Sequence, residues 1–276
     1  MTHNNNTLVL AEPFLSLWAG QDAFAEVEQL RGQIFRDMPG RRTLRVEVDG
    51  RGYFVKIHRG VGWGEILKNL CTLKWPVLGA GQEWRALERL HQAGVPTMRA
   101  VAFGERGQNP ATRHSFIVTE EIAPAVDLET LTRHWREAPP APGQKHALIA
   151  AVAHSVGRMH RAGVNHRDCY LCHFLLRQTE DKNTAPNLAM IDLHRAQTRA
   201  ATPRRWRNKD LAALYFSALD IGLTRRDILR FLRDYFVDCP LRDIFRTEAS
   251  LLLWLKKDAE RLARRFVRLQ ATGRPL

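Results

Sequence analysis

The chain has 276 residues, 45% of them apolar and 26% charged, the make-up of an ordinary soluble globular protein with enough material for one large domain or two lobes. Its formal charge of +13 calls for an anionic partner, and with no helix-turn-helix or zinc-finger pattern that partner is read as a phospholipid surface or phosphorylated substrate, not a nucleic acid. No run approaches the roughly 18 apolar residues of a membrane span, and Met1 to Leu10 lacks the basic start of a signal peptide, so a cytoplasmic protein is expected.

In chain order, three β-rich runs come first, Gln29 to Arg36, Thr43 to Val48 and Tyr53 to His58, the last two joined by the hairpin signal Asp49-Gly50-Arg51-Gly52. Lys56 sits in the middle of the third run. Gly60 to Gly81 carries Trp63, Ile66, Leu67, Leu70 and Leu73 at helical spacing, a packed helix or an amphipathic element for an anionic interface. In the next helix Trp84, Leu87 and Leu90 share a stripe, which lets Glu83 point toward the strand bearing Lys56. Ser115 to Ile122 reads as a buried strand that ends in two acids and an Ile. The Pro-rich stretch Ala138 to Gly143 is a loop, followed by a helix with one apolar face ending near Gly163. Asn165 to Leu176, NHRDCYLCHFLL, is a loop running into a short apolar strand, and Leu188 to His194 is a second apolar strand ending in Asp192. A further helix is expected to start at Asp210, and the terminal stretch Leu251 to Leu269 forms a basic amphipathic helix.

The His166-Arg167-Asp168 tripeptide with a potential metal ligand five residues on is the layout of a kinase catalytic loop, where one Asp accepts the proton of the acceptor hydroxyl. Asp168 is that base, and His173 stands where such loops carry Asn. Lys56 and Glu83 form the pair that holds the phosphates of ATP, Asp192 is the magnesium-binding carboxylate, and the backbone at Glu120 and Ile122 meets the adenine. Four such features in the right order predict an α+β, bilobal protein-kinase-like fold. Residues 1–122 make a mainly antiparallel N-lobe with its key helix and hinge strand, and residues 123–276 a mainly helical C-lobe. The segment between Asp192 and Lys209 is short for cradling a peptide, and it holds Arg195, Arg199, Arg204, Arg205 and Arg207, so Arg204, Arg205 and Arg207 are read as a basic lip for an anionic acceptor. The four cysteines, Cys71, Cys169, Cys172 and Cys239, are too scattered for a disulfide scaffold, and Cys169-x-x-Cys172 with His166 and His173 is too crowded to wrap one tetrahedral zinc.

Tyr53 to Gly64 (YFVKIHRGVGWG), Glu83 to Thr97 (EWRALERLHQAGVPT), His114 to Ala123 (HSFIVTEEIA), Asn165 to Leu176 and Ile191 to Ala196 (IDLHRA) together resemble the lipopolysaccharide core heptose(I) kinase family. The resemblance spans nearly the whole chain. It implies ATP- and Mg²⁺-dependent phosphorylation of the first heptose of the inner core, on a lipid A-linked acceptor, by a protein peripheral to the cytoplasmic face of the inner membrane. It also implies acyl carrier protein as a partner, an acidic one suited to a basic chain. Phosphorylation of another core sugar or of a protein tyrosine, and a catalytically weak binding scaffold, are the alternatives. By resemblance Asp168 is the base, Lys56 and Glu83 the phosphate-holding pair and Asp192 the metal ligand, while His173 puts the second metal position in question.

Overall fold

Tyr53, Val55 and Ile57 point one way from their strand into a buried core while Phe54 and Lys56 point the other, the period of two that a half-buried strand imposes. That strand, β4 (Arg51–His58), lies inside a six-stranded antiparallel sheet with β1 (Thr7–Leu10), β2 (Gln33–Met38), β3 (Arg41–Val48), β5 (Ala100–Arg106) and β6 (His114–Glu120). The order across the sheet is β1-β5-β6-β4-β3-β2. The computed structural model describes residues 6–60, 62–64, 79–178, 185–255 and residues 257, 258, 261 and 264. Most of the stretch expected to form an amphipathic element between Gly60 and Gly81, and most of the terminal helix from Leu251 to Leu269, lies outside the described residues.

The chain divides into two compact units: residues 1–88, 98–122 and 193–195 in the first, and residues 89–97, 123–192 and 196–276 in the second. The sequence reading placed a single boundary at 122/123 and did not anticipate the two exchanged pieces.

In the first unit two short helices precede the sheet, α1 (Phe14–Leu17) and α2 (Ala23–Gln29), the latter started by Asp22, whose carboxylate accepts from the Phe24 N–H. The β-rich run expected from Gln29 therefore begins only at Gln33. Phe14, Trp18, Phe24, Val27 and Phe116 meet Leu44, Tyr53 and Val118 in the core, with Phe14 edge-on to Tyr53 at 5.1 Å and Trp18 edge-on to Phe116 at 5.8 Å. Helix α3 (Gly81–Gln92) is pinned by Trp84, which stacks on Phe103 of β5 at 4.9 Å. The β2–β3 turn reaches φ +78° at Gly40, the left-handed geometry that glycine adopts without strain.

The second unit is mainly helical. Helix α5 (Pro142–Arg161) takes Pro142 into its first turn, so the Pro-rich loop read from the sequence is shorter than expected. It follows the short α4 (Leu128–Thr132) and packs on α7 (Arg225–Tyr235), which Thr224 and Asp227 start with a reciprocal capping box. Helix α6 (Arg204–Ser217) and α8 (Leu241–Thr247) belong to the same unit. Small antiparallel pieces carry the loops: β9 (Phe174–Arg177) lies between β7 (Ala125–Asp127) and β10 (Leu188–Met190), and β8 (Val164–Asn165) pairs with β11 (Gln197–Thr198). No described helix is long and apolar enough to cross a membrane.

Candidate active site

The candidate residues divide between the units. In the first, Lys56 leaves the polar face of β4 and its Nζ lies 2.8 Å from Oε1 of Glu83, a pair in which the lysine side chain is 12% and the glutamate 1% exposed. At that depth neither charge is tolerated alone, and removing one partner of such a pair costs about 3–5 kcal/mol. Glu83 Oε2 is buried with no hydrogen-bond partner among the described residues. The helical stripe that buries Ala86, Leu87 and Leu90 turns Glu83 toward the sheet, as the spacing predicts.

Strand β6 runs out at Glu120, whose N–H donates to the Arg99 carbonyl at 2.9 Å. Only its carbonyl is therefore left for an adenine. The neighbouring Glu121 holds Arg45 through contacts of 2.7 to 3.0 Å, and its own N–H donates to Gly52 O, which ties the end of β6 to the start of β4. Ile122 follows with a buried side chain.

In the second unit the catalytic-loop candidate hangs from one carboxylate that sequence reasoning missed. Asp210, 1% exposed on α6, accepts from the backbone N–H of His166 at 2.6 Å and of Arg167 at 2.8 Å. Its Oδ2 also faces His160 Nε2 at 3.2 Å, and His160 Nδ1 lies 2.7 Å from the Tyr235 hydroxyl. Two charged-acceptor bonds of this kind contribute about 1.5–3 kcal/mol each. The signal was present: an acid leading the apolar run Asp210-Leu211-Ala212-Ala213-Leu214 is an odd choice unless it has buried donors to satisfy. Arg167, held in this way, adopts φ +73°, a conformation an arginine takes only where its surroundings impose it. Asp168 follows directly.

The backbone carbonyl of Asp168 accepts from Tyr170 N at 2.9 Å and from His173 Nδ1 at 2.6 Å. A carbonyl can only accept, so Nδ1 carries the proton and the lone pair of the neutral ring is on Nε2. That atom faces Asp192 Oδ2 at 3.8 Å. Asp192 itself adopts φ +59°, and the preceding Ile191 is fixed on both sides, its N–H donating to His173 O at 2.9 Å and its carbonyl accepting from His166 Nε2 at 3.0 Å. The His166 ring stacks on His173 at 5.5 Å. A histidine nitrogen and a carboxylate oxygen converging this way, with the second ring nitrogen bonded to a carbonyl, form a donor pair that fits a divalent cation. No group of three or more His, Cys, Asp or Glu side chains among the described residues could hold a metal by protein ligands alone. Burial pushes the Cys169 thiol well above its ordinary range, and burial with the nearby Glu129 carboxylate pushes Cys172 up to about 11, so neither offers a thiolate.

The basic lip differs from the sequence reading. Helix α6 starts at Arg204, not at Asp210, because Pro203 closes the preceding turn and the arginines and lysine that follow are good helix formers. Arg207 points inward: its guanidinium grips Glu248 at 2.7 and 3.0 Å and lies over Phe236. It is a structural ion pair and leaves the lip. Arg204 and Arg205 are exposed.

The family model described as "Lipopolysaccharide kinase (Kdo/WaaP) family" matches residues 25–235. The lipopolysaccharide core heptose(I) kinase WaaP of Pseudomonas aeruginosa is 68% identical over 260 residues, 94% of this chain and 96% of that protein. Its counterpart in Escherichia coli K12 is 51% identical over the same length. A solved structure, WaaP in complex with acyl carrier protein, superposes with a TM-score of 0.82 at 63% identity and covers 93% of this chain and 99% of that one. With the kinase-like fold, the Lys56–Glu83 pair and the loop around Asp168 in place, the chain belongs to the lipopolysaccharide kinase (Kdo/WaaP) family.

Proposed function

We propose that this protein transfers the γ-phosphoryl group of ATP to a hydroxyl of the first heptose of the lipopolysaccharide inner core. The support is the set of backbone bonds by which Asp210 and His173 fix Asp168, together with high identity over nearly the full length to two heptose(I) kinases. Lys56, oriented by Glu83, holds the α and β phosphates. The carbonyl of Glu120 and the N–H of Ile122 receive the adenine edge. Asp168 orients the heptose hydroxyl and accepts its proton as the oxygen bonds to the γ-phosphorus and the bond to the β–γ bridging oxygen breaks, releasing ADP. Asp192 and His173 Nε2 would hold Mg²⁺, which when bound neutralises phosphate charge. The geometry keeps their donor atoms turned to each other without it.

A basic protein acting on a lipid-anchored sugar belongs at the anionic cytoplasmic face of the inner membrane, and its charge of +13 suits that surface. Acyl carrier protein is the second partner. It is acidic, and its cargo is an acyl chain. The second unit holds an apolar cavity of about 200 Å³, lined among others by Leu128, Ile149, Val152, Leu214, Phe231 and Leu252, a fitting receptacle for such a chain.

The decisive assay offers the purified protein ATP, Mg²⁺ and core lipopolysaccharide lacking heptose phosphate, with the product read by tandem mass spectrometry. One added phosphate on the first heptose is expected. Phosphate on another sugar, or on protein tyrosine alone, would overturn the assignment.

A further inference from the structure

Four cations surround one indole on the same side of the second unit as the catalytic loop's own arginine. Lys209 Nζ lies 4.7 Å from the centroid of Trp206, with the guanidinium carbons of Arg205 at 5.4 Å, Arg199 at 5.8 Å and Arg167 at 6.0 Å. Each such contact is an attraction between a cation and the negative face of the ring. The ring has no net charge, so it gathers the cations without neutralising them. Arg199 spends its guanidinium on neutral amides, Asn165 Oδ1 at 2.7 Å and Gln197 Oε1 at 2.6 Å. Among the described residues no carboxylate forms an ion pair with Arg199, Arg205 or Lys209. Asp258, whose charge acts on Lys209 from a distance, is itself bonded to Arg261. Partial desolvation, and then the charges of Arg205 and Arg167, hold the Lys209 ammonium below its usual range against the opposing charge of Asp258. Like charges kept this close are costly unless something anionic is meant to share them.

We propose that Trp206, Arg199, Arg205 and Lys209 form the subsite for an acidic group of the acceptor glycolipid, a carboxylate or phosphate oxyanion near the hydroxyl that Asp168 serves. The inference rests on the kinase reading above and adds the specificity site it lacks. Guanidinium forks suit either oxyanion through paired hydrogen bonds. Helix α6 supplies Arg205, Trp206 and Lys209 from consecutive turns, and β11 leads into Arg199, so the subsite is built on the same elements that suspend the catalytic loop. Arg167 joins it from the residue next to Asp168.

The test measures binding and turnover separately, with the full-length protein. The probe is soluble inner-core oligosaccharide freed of fatty acids, prepared in three forms: intact, with its carboxyls reduced to alcohols, and with its lipid A phosphates removed. Arg205→Gln with Lys209→Gln should raise the Kd for the intact glycan at least about tenfold, roughly 1.4 kcal/mol, and leave the KM for ATP unchanged. Arg205→Lys with Lys209→Arg, which keeps both charges, should restore most of the affinity and exclude a folding defect. Loss of wild-type affinity with the carboxyl-reduced form assigns the carboxylate, and loss with the phosphate-free form assigns the phosphate. Equal Kd values for wild type and the Gln pair, or no loss with either modified glycan, would overturn the subsite. Normal binding without phosphoryl transfer would overturn the kinase reading and leave the subsite standing.

Discussion

In the proposed reaction Asp168 takes a proton from a hydroxyl whose oxygen is bonding to phosphorus, a role that an amide of the same shape cannot fill. Asp168→Asn should lower kcat by about 10²- to 10⁴-fold with little change in ATP affinity. Single-turnover rates beside equilibrium nucleotide binding would show the split, and retained turnover would remove Asp168 from its role. His173 poses a different question. Its tautomer is set by the Asp168 carbonyl, which leaves Nε2 as a donor of intermediate softness next to the hard oxygens of Asp192. The wild type should therefore favour Mn²⁺ over Mg²⁺ more than His173→Asn does, and paramagnetic resonance of bound Mn²⁺ should report weaker binding in the variant. Asp192→Asn should impair transfer more than His173→Asn, because it removes the charge. Most of these residues are candidates from spacing alone, since the tripeptide, the strand Lys and the strand-end Asp occupy fixed places along the chain. Asp210 was not. What it does depends on two backbone N–H groups more than forty residues away in sequence, and no local pattern records which buried donors an acid will meet.

At the level of elements, the sequence showed the central strands and α3 because alternation and helical stripes are properties of consecutive residues. It missed α1, α2, α4, α7 and α8 and started α6 too late. In each instance the helix is short or begins with charged residues that mask its period. The late start of α6 also misassigned Arg207. With its partner Glu248 at the C-terminal end of α8, its ion pair is only 15% and 11% exposed. Arg207→Ala should cost about 3 kcal/mol in urea unfolding and leave the acceptor KM of the surviving folded protein unchanged. An acceptor defect without a stability loss would return Arg207 to the lip. On α3 and β4, Lys56→Met and Glu83→Gln should each weaken productive ATP binding, yet the double variant should fall short of the summed losses by about 1–3 kcal/mol, the signature of a pair acting as one.

For the whole molecule, buried histidine adds a pH dependence to stability. His58 is 3% exposed at the end of β4, and burial, helped by the charges of Arg41 and Lys56, holds its pKa down to about 3. The unfolded chain binds a proton near pH 6.5 and the native one does not. The native state is thus favoured fully above pH 6.5, and stability is lost as pH falls from there toward 3. Denaturant unfolding from pH 7 to 5 should show a slope shallower by up to about 1.4 kcal/mol per pH unit in His58→Leu than in the wild type. Equal slopes would place the proton uptake elsewhere. The carboxylate of Asp210 has its own consequence at this scale. Because the loop bearing Asp168 is suspended from α6, and through His160 and Tyr235 from α5 and α7, it is clamped by the same helices that make up the body of its unit. No covalent modification of a mobile segment is needed to set it. The enzyme should leave synthesis already switched on, its output metered by the arrival of acceptor, and on slow heating activity should disappear together with helical ellipticity and not before it.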